Sequence, residues 1–415
     1  SIECDRSAPI EENCTDFAED LRGWKKLTEN IRIWDYTTQF TNFLAPFPNI
    51  RTLQPNIQFF RDNNATWIFE QHSNNPSELF ELRSYLTAKL LWNPDLYADS
   101  LITGFTNGYY EEAGIYVKIY IDLVHDEIQK DDDFFLFLYG DPAQAFNSFL
   151  NPELLKQYNT FFDDAEKAVA NKPEVLQRVR TARISTDYAM LEMARNGKSP
   201  DFQLLENGRI SDNIKLRLTR FKESCQNSKI TMMNEMGYSV DEYLDLYAAT
   251  LKRAALPNIA RGKKVTLQTK PKKYVGENPQ SLTDGALGGS NFYANYLGFE
   301  GNNLSAVIDL GSAMEFSTIS TAFLQVTNHI VFFPESVTYS YSNDGKNFRE
   351  LEKITNSKPL SKASKKNDIE YFTATFPQTK ARYIKVEAKN ISKAPRWHNA
   401  AGLPAWIFVD EVIVN

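Results

Sequence analysis

The pattern of hydrophobic and polar positions divides the chain into three zones. Over the first 75 residues, three short alternating runs predict strands: Ile2 to Asp5, Ile31 to Tyr36 and Thr66 to Gln71. Between the first two, Phe17, Leu21 and Trp24 recur at helical spacing. Between the second and third, "PNIQFFRDNN" places Ile57 and Phe60 in a polar background. Each strand-to-strand step is roughly the thirty residues of a βαβ unit, which implies a parallel sheet. A parallel sheet needs cover on both faces, and three strands do not provide it. The expectation is therefore that residues 1–75 are the last strands of a larger α/β domain, most simply an eight-stranded barrel whose other strands precede Ser1.

Residues 76–256 read as helical. Asn75-Pro76 sets a cap residue before a proline, and Leu79, Leu82, Leu86 and Leu90 follow as an apolar stripe. Pro94 blocks continuation. A second helical stretch spans about residues 100–128, with Gly108 and Gly114 as weak points. Asn151-Pro152 repeats the cap-plus-proline device, Pro173 opens a long helix that Gly197 ends, and another helix covers about residues 211–225. Ser239 and Glu242 form a capping box for the last helix. A bundle of five or six helices results. Within it, "DDDFFLFLYGDPAQAF" reads either as an acidic turn plus a tucked apolar segment or as a loop lining a cleft.

From "PNIARGKK" onward the period becomes two. "KVTLQT", "SAVIDLG", "SVTYSYS", "YFTATF", "RYIKVEA" and "WIFVDEVIVN" predict strands, separated by turn signals at Asn343-Asp344-Gly345 and Pro377-Gln378. Val337, Tyr339 and Tyr341 share one face; Ile384, Val386 and Ala388 oppose Tyr383, Lys385 and Glu387. Residues 262–415 thus predict a β-sandwich or jelly roll. The fold class expected for the whole is multidomain α+β: a partial (β/α) barrel remnant at 1–75, an α-helical bundle at 76–256 and a C-terminal β-sandwich at 262–415.

Composition narrows the chemistry. The 415 residues are 42% hydrophobic and 24% charged, as in globular chains, and carry a net charge of −7, which argues against nucleic acid as the main partner. The lysine-rich stretches Lys263 to Lys273 and Lys358 to Lys366 read as solvated loops or edge protection. The longest apolar run, Phe134 to Leu138, is too short to span a bilayer, and no signal peptide is evident. Three cysteines exclude a full disulfide framework; Cys4 and Cys14 could pair, though the sequence does not show it. Aromatic residues reach 13%, which suits thick cores and sugar-stacking surfaces alike.

Sites of α/β folds lie at the carboxyl ends of strands, and all three predicted strands end in an acid: Asp5, Asp35 and Glu70. Paired carboxylates are what glycoside hydrolysis requires, so Asp35 and Glu70 are the catalytic candidates. Asp5, Arg6, Trp34, Tyr36 and Gln71 beside them are substrate-binding candidates, with His72 and Trp67 close by. The same acids could instead cap helices or pair with Arg6. In the β region, Asp284 in "SLTDGALGG" and Glu411 in "VDEV" invite a calcium reading, against an ordinary Asp-Gly turn and an edge-strand acid. His329, Phe332, Trp397 and His398 are the sugar-contact candidates of the loops.

"KKVTLQTKPKKYVGENPQSLTDG", "NYLGFEGNNLSAVIDLG", "FPESVTYSYSNDGKNFREL" and "ARYIKVEAKN … AWIFVDEVIVN" resemble the discoidin-like, coagulation-factor C-type domain over about residues 262–415. The resemblance implies a galactose-binding-like jelly roll of the kind that includes carbohydrate-binding modules. It implies a structural calcium held in part by Asp284 and Glu411. The family's T-x-W after the Asp-Gly turn is replaced here by "GALGGSNFY". "CDRSAP", "IRIWDYTTQFTNFLAPFPN", "NIQFFRDNNATWIFEQ", "ELRSYLTAKLLWNPD" and "FDDAEKAV" resemble the C-terminal half of a bacterial domain family of unknown function, distantly similar to α-glucuronidases. That resemblance implies a barrel followed by helices, and a periplasmic, outer-surface or secreted location. Two functions follow as expectations: the C-terminal part of a glycoside hydrolase-like protein acting on or binding complex glycans, or a non-catalytic carbohydrate-binding or cell-surface adhesion protein.

Overall fold

A parallel strand pair comes first in the chain's architecture. The computed structural model describes residues 2–197, 199–272, 276–358, 360–365 and 367–415. The chain folds as two compact units: residues 1–193 with 212–244, and residues 194–211 with 245–415. The first unit holds α1 (Ile10–Asn13), α2 (Thr15–Lys25), β1 (Ile31–Tyr36), α3 (Leu53–Asp62) and β2 (Ala65–Gln71). β1 and β2 run parallel, with Asp35 opposite Glu70. This is the predicted βαβ unit. The expected first strand is absent: residues 2–8 form turns and bends. Its alternation has another cause, since Cys4 is buried because it bonds to Cys14, with Cα atoms 5.4 Å apart.

The inner face of the pair is apolar because Ile33 and Ile68 alternate toward α1, α2 and α3, where they meet Ile10, Leu21, Phe59 and Phe60. The other face carries Trp34, Trp67 and Phe69, which are 60%, 54% and 40% exposed. Trp67 stacks on Phe69 at 6.3 Å, and Trp34 meets Phe69 edge-on at 5.3 Å.

The helices are α4 (Phe80–Trp92), α5 (Ala98–Tyr110), α6 (Gly114–Ile128), α7 (Pro152–Ala168), α8 (Pro173–Asn196), α9 (Asp212–Asn227) and α10 (Val240–Ala254). The stretch predicted across residues 100–128 breaks into α5 and α6 at the weak point Gly114, whose backbone lies against Thr106 so closely that a Cβ would sit 2.4 Å from its carbonyl oxygen. Asn151 caps α7 by accepting from the Leu154 amide at 3.0 Å. Ser239 and Glu242 cap α10 reciprocally. Asn75-Pro76 does not start α4, which begins at Phe80. Asn75 instead accepts from the amides of Thr231 and Met232.

No division separates residues 1–75 from the helices. The acidic-apolar segment explains why: Arg6 N–H donates to the Leu136 carbonyl, Leu136 N–H to Asp5, and Phe40 N–H to the Leu138 carbonyl. The run is therefore the tucked segment, not a cleft loop. The segment thereby ties the loop before α1 and the loop after β1 to the helical part of the unit.

The second unit contains the small hairpin β3 (Leu205–Glu206) and β4 (Arg209–Ile210), then β5 (Lys264–Leu267), β6 (Leu297–Glu300), β7 (Leu304–Val326), β8 (Ser336–Ser342), β9 (Arg349–Thr355), β10 (Asn367–Lys389) and β11 (Trp406–Val414). β7 and β10 are long and antiparallel, and each serves two layers. The first half of β7 and the second half of β10 pair with β5 and β8, and β8 with β9. The other halves pair together, with β11 and β6 beyond β7. Core residues from both layers, including Ile308, Phe323, Val337, Tyr339, Phe372, Ile384, Val386, Ile407 and Val412, form one cluster. "YFTATF" and "RYIKVEA" are thus one strand. Pro377-Gln378 marks a shift of register between Thr375 and Thr379, not a turn, because a bulge tolerates the missing proline N–H. The Asn343-Asp344-Gly345 turn forms as expected, with Gly345 at φ 71° and Asp344 accepting from the amides of Lys346 and Asn347.

Candidate functional site

The strand-end acids of the first unit come together, but not toward an open cleft. Asp35 and Glu70 point with Ile33 and Ile68 into the helix-facing side of the pair. Arg6, only 1% exposed, donates from Nη1 to Asp35 Oδ1 at 2.9 Å. Burial and then the charge of Asp35 push Glu70 well above the usual carboxylate range, against the opposing pull of Arg6. Glu70 Oε2 is buried without a hydrogen-bond partner among the described residues. Asp5 has both oxygens engaged, by the Ser7 amide and hydroxyl and the Leu136 amide. These groups knit the amino-terminal loop to the sheet. The catalytic reading of Asp35 and Glu70, and the substrate-binding reading of Asp5 and Arg6, therefore give way to a structural one. Strand alternation decides which face a carboxylate takes, and here it takes the packed face.

Of the remaining candidates, Trp34 and Gln71 lie on the open face, where the indole N–H donates to Gln71 Oε1 at 2.8 Å. Tyr36 packs edge-on to Phe40 at 5.7 Å. His72 is pushed down to about 3 by burial and by the charge of Arg83, so it is neutral at physiological pH. His125, which the sequence did not single out, is fully packed: its Nε2 accepts from the Ile50 amide at 3.0 Å and its Nδ1–H donates to the Ile121 carbonyl at 2.7 Å.

In the second unit, Glu411 and Asp410 sit where β11 loses register between Val409 and Val412. A bulge re-aims its side chains, which explains two acids in an apolar strand. Glu411 accepts from the Gly285 amide at 2.9 Å and from Asn258 Nδ2 at 3.1 Å. Arg253 donates to Asp410 at 2.5 Å and to the Glu411 carbonyl at 2.6 Å. Asp284 accepts from the Ala286 amide at 2.9 Å. Calcium takes six to eight oxygens. Here nitrogen donors face both Glu411 oxygens, and a guanidinium holds the neighbouring acid. Among the described residues no group of three acids, histidines or cysteines could hold a metal. The residues present do not fit the calcium ion that the resemblance implies. Burial, then the charges of Asp410 and Asp284, raise Glu411 to about 8, only partly offset by the Gly285 N–H and Arg253.

The loops after β7, before β10 and before β11 gather at one end of the second layer. They enclose a cavity of about 310 Å³ whose walls include Asn328, Ser361, Lys362, Trp397, His398 and Asn399. Trp397 is half-buried, held edge-on to Phe332 at 6.1 Å. His398 fixes the loop: its Nδ1 accepts from the Ala400 amide at 3.0 Å, so the proton lies on Nε2, which donates to the Thr327 carbonyl at 2.6 Å. Both ring nitrogens are spent, so His398 positions Trp397 and Asn399 instead of binding through its nitrogens. His329 is not part of this wall; its ring packs edge-on to Phe292 at 5.2 Å. Sequence reasoning missed Asn328, Ser361, Lys362 and Asn399, because sequence alone does not show which loops share one end of a sandwich.

Residues 266–408 match the F5/8 type C domain. Residues 1–122 match a domain of unknown function, DUF4838, and that match runs across residue 75 as the first unit does. No curated protein matches the chain. Among solved structures, similar chains include chitosan-binding module 1 of a chitosanase/glucanase from Paenibacillus sp. IK-5, at 17% identity and a TM-score of 0.26, covering 39% of this chain and 99% of that one. Another is CpGH89CBM32-5 from Clostridium perfringens, in complex with GalNAc-beta-1,3-galactose, at 19% identity and a TM-score of 0.26, covering 38% and 99%. A Ruminococcus gnavus GH29 fucosidase in complex with fucose aligns at 16% identity and a TM-score of 0.27, covering 48% of this chain and 36% of that one. The F5/8 type C region includes β6 to β10 and all three cavity loops in full, and it ends within β11.

Proposed function

We propose that the second unit binds glycans in the cavity bounded by Asn328, Lys362 and Trp397. The observation that carries this reading is the cavity's composition. One aromatic wall offers an apolar face, and amide and hydroxyl side chains surround it. Sugars present the complementary pattern, with an apolar ring face edged by hydroxyls. The indole N–H of Trp397 has no hydrogen-bond partner among the described residues and is available to a ligand. The match to the F5/8 type C domain supports the reading.

For the first unit, the β1–α3–β2 arrangement supports a relation to wound α/β folds such as the barrels of α-glucuronidases. Hydrolysis is not assigned to Asp35 and Glu70, since Arg6 and the helix layer occupy their face. The Cys4–Cys14 disulfide favours a periplasmic, outer-surface or secreted setting, where such bonds persist. No helix among the described residues is long and apolar enough to cross a membrane. Screening the protein on a glycan array, beside Trp397→Ala, tests the proposal. Retention of defined glycans by the wild type alone is expected; equal retention by the variant would refute the site.

A further inference from the structure

We infer that the cavity selects glycans that carry a negative charge, a carboxylate or a sulfate. This rests on the reading that the cavity binds glycans, and adds the ligand's chemical class. Among the described residues its wall contains one ammonium, Lys362, and no carboxylate. A lysine side chain only donates hydrogen bonds, so it favours a ligand rich in acceptors over a hydroxyl that acts as both.

The charge of Lys362 is not consumed within the protein. Among the described residues its amine has no ion-pair or hydrogen-bond partner. By contrast, Lys358, in the same loop, bonds Asp368 and Glu370, each at 2.6 Å, and Lys389 bonds Glu335 at 2.6 Å. The Lys358 contacts also remove Asp368 and Glu370 of β10 from competition. On the opposite loop, Lys393 and Arg396 are exposed in the residues leading to Trp397. The positive character is local, since the whole chain carries −7. Lys358 to Lys366 read from the sequence as a solvated loop; Lys362 is exposed, as that reading expects, and it lines the same cavity as Trp397.

The experiment is calorimetric titration of the full chain with three oligosaccharide sets of matched length: oligogalacturonates, sulfated galactans and neutral galactans. Wild type is expected to prefer at least one anionic set, with affinity falling as sodium chloride is raised. Lys362→Gln is expected to weaken the anionic ligand about tenfold, the scale of one charged hydrogen bond, and so to remove most of the preference over the neutral set. Lys362→Arg is expected to retain the preference. The preferred anionic set identifies the source of the charge. Equal affinity for neutral and anionic sets, or no effect of Lys362→Gln, would overturn the charge inference while leaving glycan binding intact. Failure of all three sets to bind would overturn both.

Discussion

Asp35 and Glu70 are neighbours across one ladder yet answer to different forces. Asp35 neutralises the buried Arg6, whereas burial and the charge of Asp35 push Glu70 above the usual carboxylate range, against the pull of Arg6. Asp35→Ala should therefore destabilise the first unit by about 3–5 kcal/mol, because it strands a buried guanidinium. Glu70→Gln leaves the Arg6–Asp35 pair intact and should cost less than Asp35→Ala, by at least about 2 kcal/mol. Chemical denaturation of both variants checks the contrast; equal losses would contradict it. Glu411 offers a pH test. Its folded value of about 8 lies above the ordinary 4.5, so the folded state binds the extra proton. The stability it contributes is fully present below about 4.5 and is lost as pH rises through about 8. Glu411→Gln should flatten the fall in melting temperature between those limits, read by thermal melts from pH 5 to 9. An unchanged slope would show that another group sets it.

At the scale of elements, the helices were the most legible part of the sequence. Proline after a cap residue, as at Asn151-Pro152, and the Ser239–Glu242 box act within one turn, so local chemistry determines them. Ile2 to Asp5 misled because alternation there reflects a crosslink and a buried loop, not a ladder. β6 and β9 were not foreseen: Leu297–Glu300 has only four residues, and Arg349–Thr355 is a polar edge strand whose period is masked by charge. The face taken by the strand-end acids was legible in principle from alternation with Ile33 and Ile68, but which face the helices cover was not. The disulfide carries its own prediction. It closes a ten-residue separation around Asp5 and Arg6, so Cys4→Ser with Cys14→Ser should cost about 2–3 kcal/mol. Limited proteolysis should then cut first within residues 1–14; resistance there equal to the wild type would contradict this.

For the whole molecule, the two units differ in what they offer to a partner. The first spends its buried charges on its own loops. The second also leaves the exposed Lys362 and the Trp397 indole without a partner among the described residues at the rim of one cavity. Three loops distant in sequence form that site because β7, β10 and β11 begin or end at the same edge of a sheet. That convergence is a property of topology, which is why the pattern of residues named Trp397 but not the walls around it. The most direct test is calorimetric titration of wild type and Trp397→Ala with the glycan that the wild type retains best on an array. Loss of the stacking wall should weaken binding at least about tenfold, with the melting temperature unchanged because Trp397 is only half-buried. Binding of equal strength by a folded Trp397→Ala would show that the glycan docks elsewhere.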